Sequence, residues 1–309
     1  MALALPADAR AAVLAWYDAG GRALAFRSSR DPYAILVSEV MAQQTQVSRV
    51  VEVWPRFLAR FPTVDALAAS TPADVVRAWQ GMGYDRRALN LRLAAQVIRD
   101  EHGGRVPEDI EALDRLPGVG PYTARAVAAI AFGRRVGAVD TNVRRVLTRS
   151  LAGARPAEQA GAWVQAAADA SVDPDRPGDW THGLMDVGAT VCRPGRPRCE
   201  ACPVRPWCRW AAATSGGAEA SAGVTPAREA PARRRRTGPE PAFASTNRWL
   251  RGRIVDRLRA ADDGTWVAVE APIGEHDAGA VDRALRALAH DGLVELDAAD
   301  ARRARLATA

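Results

Sequence analysis

The chain of 309 residues contains no lysine; all 42 of its basic residues are arginine. That absence excludes any chemistry that runs through a lysine amine, Schiff-base formation included. Cysteine is scarce and confined, with all four residues between positions 192 and 208. Such confinement argues against a disulfide framework spread over the chain and points to a metal or cluster site. No apolar run approaches the roughly 20 residues that a membrane helix needs. The opening "MALALPADAR" has no basic segment ahead of an apolar one, so it does not read as a secretory signal. The expectation is a soluble, cytoplasmic chain with no membrane partner.

Strand-like alternation is also scarce. Over residues 10–210 apolar residues recur at helical spacing between Gly and Pro breaks, which predicts an all-α fold. "DPYAILVSEVMAQQTQVSRVVEVWPRFLARF" reads as two helices, with Asp31 as N-cap and Pro32 in the first turn. Composition changes near residue 211. Residues 214–244 are rich in Ala, Gly, Ser and Pro and carry Arg233 to Arg236, as a flexible basic linker does. Residues 245–309 read as a small α+β unit: a helix, an extended segment, a second helix, a turn at Asp291-Gly292 and a strand. That order resembles a winged-helix module.

The net charge of +6 favours a polyanionic partner. Three local patterns sharpen this. Cys192, Cys199, Cys202 and Cys208 have the spacing C-x6-C-x2-C-x5-C, which suits an iron–sulfur cluster. Zinc remains an alternative, although only one C-x2-C knuckle is present. Arg193, Arg196 and Arg198 sit on the loop between the first two cysteines. A basic loop pinned at both ends suits phosphate contacts, because its ordering cost is already met.

The second pattern is "LDRLPGVGPYTARAVAAIAF", residues 113–132. Two helices flank Leu116, Gly118, Val119 and Gly120, and Pro121 heads the second helix. Closely spaced glycines let backbone amides converge, and a helix N-terminus adds positive potential, so this hairpin can hold a DNA phosphate without reading sequence. The third pattern is "SEVMAQQTQV", residues 38–47. Its lone carboxylate, Glu39, stands among neutral hydrogen-bonding groups. A salt-bridged helix Glu is the plain reading. Burial against Val37, Val40 and Met41 would instead favour a protonated general acid. In "VDTNVRRV", Asp140 precedes a helix, where capping orients a carboxylate.

The hairpin, an aspartate about 20 residues beyond it, and the cysteine spacing together resemble the endonuclease III superfamily of DNA glycosylases. Within it, "SEVMAQQTQV" resembles the MutY branch, which removes adenine mispaired with guanine or 8-oxoguanine. The likeness covers about residues 10–210. It implies a two-lobed helix-hairpin-helix fold: a cluster lobe from 1–32 and 138–213, and a six-helix barrel from 33–137. It implies one 4Fe-4S cluster on the four cysteines, double-stranded DNA with A:8-oxoguanine or A:G mispairs as partner, and a monomer at the nucleoid.

For the site, the resemblance implies Glu39 as proton donor to purine nitrogen 7. Asp140 supports the oxocarbenium centre and Asn142 helps position it. Two carboxylates in different surroundings divide such work. Gln44 would fill the gap left by the flipped base, beside Gln43, and Thr45 would touch the opposite purine. Tyr84, next to Met82, would act as a wedge. Tyr122 stands where bifunctional relatives carry an attacking lysine, which implies a monofunctional enzyme. Rival readings are a thymine–guanine mismatch glycosylase and a non-catalytic damage-binding protein. The sequence departs from the family pattern at Phe26, where a Trp is usual, at Ala42, where Leu is usual, and at Asp85, where a second Tyr is usual and an acid would stand close to DNA. The short tail also lacks the expected β-rich domain, related to Nudix hydrolases, that reads 8-oxoguanine.

Overall fold

A computed structural model describes residues 3–215 and 242–308. The expected linker, 214–244, lies almost wholly outside them, as do Arg233 to Arg236. In chain order the helices are α1 (Ala7–Gly20), α2 (Pro32–Ala42), α3 (Val47–Arg60), α4 (Val64–Ala68), α5 (Pro72–Ala78), α6 (Arg86–Glu101) and α7 (Ile110–Asp114). They continue as α8 (Pro121–Phe132), α9 (Thr141–Leu147), α10 (Gly161–Ser171), α11 (Pro177–Asp186), α12 (Arg209–Ser215), α13 (Asn247–Arg259) and α14 (Ala278–His290). The strands are β1 (Val267–Ala268), β2 (Val294–Leu296) and β3 (Arg303–Leu306). The all-α expectation for residues 10–210 is met. The described residues divide into two compact units.

The first unit comprises residues 3–36, 108–114 and 119–215. Its core joins Val13 and Leu14 of α1 to Trp180 and Leu184 of α11 and to Val143, Val146 and Leu147 of α9. The backbone N–H of Leu5 donates to Ser171 Oγ at 3.0 Å and ties down the N-terminal segment. Asp186, at the end of α11, is fully buried and receives Arg22 and both terminal nitrogens of Arg27. Burial alone would raise its carboxyl, but the two guanidiniums outweigh burial and hold it below the usual carboxylate range. One turn earlier, burial and then the nearby Arg27 push His182 down to about 3. Helices α9 and α11 each widen into a π-helical turn, Thr148–Ala152 and Val187–Val191. Such turns re-aim the residues that follow them, and the second delivers Cys192.

The second unit comprises 37–107, 115–118 and 242–308. Thr71 and Asp74 form a capping box at the head of α5, with Pro72 in the first turn, so this helix starts where its sequence dictates. The C-terminal residues form two helices and an antiparallel sheet of order β1-β3-β2, with Val267 opposite Ala304 and Val294 opposite Leu306. The α+β character is as expected. The third strand is additional: "RARL" is short and Arg/Ala-rich, and only its pairing to both neighbours makes it a strand. Residues 245–309, expected as a unit of their own, share a core with α5 and α6. Ala73, Val76 and Leu89 pack with Leu250, Ile254, Leu258 and Leu285. The Ala73 N–H donates to the Ala307 carbonyl at 2.9 Å. The hairpin helices α7 and α8, expected in the barrel, group with the first unit because α8 packs on α11.

Candidate active site and nucleic-acid interface

The hairpin turn depends on one glycine. Gly118 has φ +78, and a Cβ there would stand 2.7 Å from the Cβ of Asn90; only glycine combines that conformation with that approach. Gln43 Nε2 donates to the Gly118 carbonyl at 3.2 Å. Leu116 and Val119 are buried, so their side chains brace the turn from within. Gly120 caps α8 in extended conformation, followed by Pro121. Tyr122, in the first turn of α8, is half-buried, and its hydroxyl lies 3.9 Å from Met185 Sδ.

The segment after α2 and the turn before α6 carry the unusual backbone. Gln44 (φ 53) and Tyr84 (φ 50) are the two non-glycine residues with positive φ among the described residues. Such conformations cost on the order of 1–3 kcal/mol each and persist where surrounding structure imposes them. Arg87 imposes them here. Its Nη1 donates to the carbonyls of Val40, Met41 and Gln43 at 2.9, 2.9 and 2.6 Å. Its Nη2 donates to Thr45 Oγ1 and to the carbonyls of Met82 and Gly83 at 2.8, 3.3 and 3.0 Å. One guanidinium therefore stitches the end of α2 to the Gly81–Tyr84 turn. Met82 is buried beneath it, whereas Gln44 is exposed and Tyr84 is 41% exposed.

Asp85 does not present an acid to the exposed face. Its carboxylate pairs with Arg259 of α13, their side chains only 11% and 7% exposed. The departure from the family's second Tyr is thus a docking contact for the C-terminal helix.

Glu39 lies on α2, 8% exposed, between buried Val37, Ser38, Val40 and Met41. It belongs to the second unit and Asp140 to the first. Asp140 caps α9. Its Oδ1 accepts from the Val143 N–H at 2.6 Å and its Oδ2 from Asn142 Nδ2 at 2.8 Å. Arg145, nearly buried, donates to Asn142 Oδ1 at 2.8 Å, to the Gly188 carbonyl at 2.7 Å and, through Nε, to the Cys192 carbonyl at 2.5 Å. A continuous polar chain thus runs from Asp140 to the first cysteine. Gly188 makes it possible, since a Cβ there would stand 2.6 Å from the Asn142 Cβ. Phe26, in the altered "LAFR" element, is buried in a short 3-10 turn whose Arg27 holds Asp186.

The four cysteines line one cavity with Val146, Arg149, Val191, Val204 and Trp210. Among the described residues no three Cys, His, Asp or Glu side chains are grouped so as to hold a single metal ion. Burial pushes the Cys202 thiol up to about 12, against the Val204 amide that donates to it. Burial likewise raises Cys199 and Cys208, the latter receiving the amides of Ala211 and Trp210. Arg149 Nη1 reaches Cys192 Sγ at 3.3 Å and the Arg193 carbonyl at 3.0 Å, and its Nη2 reaches Pro194 at 2.9 Å. Arg193, Arg196 and Arg198 are exposed, and both ends of their loop bond to the Val191 carbonyl.

Residues 37–160 match the HhH-GPD superfamily of base excision DNA repair proteins. The adenine DNA glycosylase of Mycobacterium tuberculosis H37Rv is 41% identical over 293 residues, covering 91% of this chain and 88% of that one. This chain belongs to the adenine DNA glycosylase family. It is accordingly a base-excision-repair DNA N-glycosylase and binds DNA. The Mycolicibacterium smegmatis adenine DNA glycosylase is 42% identical over 285 residues, 92% of this glycosylase and 91% of its own length. The human enzyme of that name is 43% identical over 211 residues, covering 65% of this glycosylase and 39% of itself. The likeness to the two mycobacterial enzymes must therefore extend into the C-terminal residues. Among solved structures, a thermostable thymine-DNA glycosylase superposes with TM-score 0.59 at 29% identity, covering 66% of this chain and 94% of that one. An endonuclease III bound non-covalently to DNA shares the fold, with TM-score 0.57 at 24% identity, covering 67% of this chain and 94% of its own.

Sequence reasoning missed Arg87, Arg145, Arg149, Gly188 and Arg259. Arg145 had a signal, since it follows Asn142 by three residues and so shares its helix face. For the others, only tertiary contacts distinguish them from neighbouring Arg and Gly residues.

Proposed function

We propose that this glycosylase removes adenine paired with 8-oxoguanine or guanine and leaves an intact abasic site. The observation that carries the reading is the near-burial of Glu39 in apolar company on α2; such surroundings favour the protonated acid that adenine departure needs. Glu39 gives its proton to adenine nitrogen 7. The bond from C1′ to nitrogen 9 breaks with its electron pair passing to the base. The Asp140 carboxylate, held by Asn142 and the α9 amide, opposes the positive charge that develops at C1′, and water then adds there and gives up a proton to solvent. With Tyr122 on the hairpin and no lysine in the sequence, no Schiff base forms with the sugar and strand cleavage does not follow.

Gln43, Gln44, Thr45, Met82 and Tyr84 form the part that meets the opposite purine and fills the vacated stack. Gly118, Gly120 and the Leu116–Val119 turn take a backbone phosphate, and Arg193, Arg196 and Arg198 take others. Cys192, Cys199, Cys202 and Cys208 hold one 4Fe-4S cluster. The four share one cavity, and the amides donating to Cys202 and Cys208, against the burial that raises those two thiols, and the Arg149 contact to Cys192 favour anionic sulfur. When bound, the cluster supplies cross-linking that fixes the basic loop and takes no part in the hydrolysis. The protein works as a monomer on nucleoid DNA in the cytoplasm. Single-turnover excision on A:8-oxoguanine, A:G and T:G duplexes tests the reading. Adenine release lost in Glu39→Gln supports it, and release of thymine alone overturns it.

A further inference from the structure

We propose that α13 adds a phosphate-gripping cation to the DNA interface, and that Arg248 is that cation. The inference rests on the wedge role given above to Tyr84. Within the second unit a cleft of about 730 Å³ runs between the 81–87 segment and α13. Gln44 and Tyr84, the residues with strained backbone, both line it. The Arg248 guanidinium carbon stands 4.0 Å from the centre of the Tyr84 ring and 5.8 Å from that of the exposed Phe243.

The other guanidiniums of the cleft are committed. Arg86 and Arg251 share Asp291, Arg253 holds Asp256, Arg259 holds Asp85, and Arg87 is spent on carbonyls. Arg248 has no carboxylate partner among the described residues and is exposed. An arginine stacked on an aromatic face keeps its N–H donors for a ligand in another direction. Duplex DNA carries one negative charge per roughly 1.7 Å of its axis, so a cation carried against a ring that enters the stack meets a phosphate. The position is firm, because Arg259, about three turns along the same helix, is fastened to Asp85 beside Tyr84.

The test is equilibrium binding of the full-length protein to an undamaged duplex and to one with a tetrahydrofuran abasic analogue, at several salt concentrations. Arg248→Ala is expected to weaken both about 3- to 10-fold and to lower the slope of log K against log salt by about 0.9. Arg248→Lys is expected to keep the slope, and Arg253→Ala to change neither quantity. An unchanged slope in Arg248→Ala overturns the proposal, as does a loss confined to the abasic duplex, which marks a lesion reader instead. If Arg248→Ala lowers the thermal midpoint, Arg248→Gln against Arg248→Lys decides by the same slope. Because no base is released in these measurements, failure of the adenine reading shows separately, as absent excision with the salt slope intact.

Discussion

The side-chain amide of Asn142 donates to Asp140 Oδ2 while its oxygen accepts from Arg145, so the amide has one usable orientation. Replacing Asn142 by Ala frees the carboxylate to rotate. Excision under single turnover is expected to fall about 100-fold, the scale of a misplacement of about 1 Å. Because Asp140 still caps the helix, its Oδ1 accepting from the Val143 N–H, thermal stability should fall by no more than about 1 kcal/mol. A large loss of stability with proportionate loss of activity would assign Asn142 to the fold alone.

Gln44 sits in the left-handed region by imposition of its neighbours. Gln44→Gly removes that strain and is expected to raise unfolding free energy by about 1 kcal/mol. Excision from a mispaired duplex should fall in the same variant, since the side chain that fills the vacated stack is gone. Denaturant melts and single-turnover rates on one preparation read both quantities. A variant that is less stable than the parent contradicts the strain argument.

Arg87 accepts no substitute. Arg87→Lys keeps the charge but cannot serve acceptors on both sides of the fork, five carbonyls and the Thr45 hydroxyl. Buried carbonyls left without donors cost about 1–3 kcal/mol each, and the expected loss is about 3 kcal/mol by urea unfolding. Retained stability in Arg87→Lys would show that water replaces the guanidinium.

Stability also depends on pH through α11. His182 is pushed down to about 3 from an ordinary value of 6.5. The folded chain therefore refuses a proton that the unfolded chain accepts below pH 6.5. Its contribution is whole above that pH and is lost as pH falls towards 3, by up to about 1.4 kcal/mol per pH unit. Asp186, held below its usual range chiefly by Arg27 and Arg22 against burial, contributes above about 3.8 and loses that contribution in stronger acid. Urea melts at pH 7.5 and 5.5 should differ by about 1.3 kcal/mol in the parent and by much less in His182→Gln.

The parts legible in the sequence are those whose signal is local. Helix α2 announces itself by period, Asp31 and Pro32, and α8 by the glycines and Pro121 at its head, and Glu39, Asp140 and the cysteines stand in spacings that only a few chemistries use. What was not legible depends on distant packing. Among 42 arginines, nothing local says that Arg87 turns inward while Arg86 reaches Asp291. Gly188 looks like any glycine until Asn142 crosses above it. Asp85 read as an acid facing DNA because its partner, Arg259, lies far along the chain.

That last contact limits how the protein can be recombined. With Asp85 gripped by Arg259 and Val76 and Leu89 sharing a core with Leu250 and Ile254, a cut near residue 213 excises core instead of trimming an appendage. It would bare apolar surface on α5 and α6 and strand a carboxylate beside Tyr84. The heritable module is α5, α6 and the C-terminal residues together. A chimaera that exchanges the tail between members of the family will fold only if those two helices travel with it.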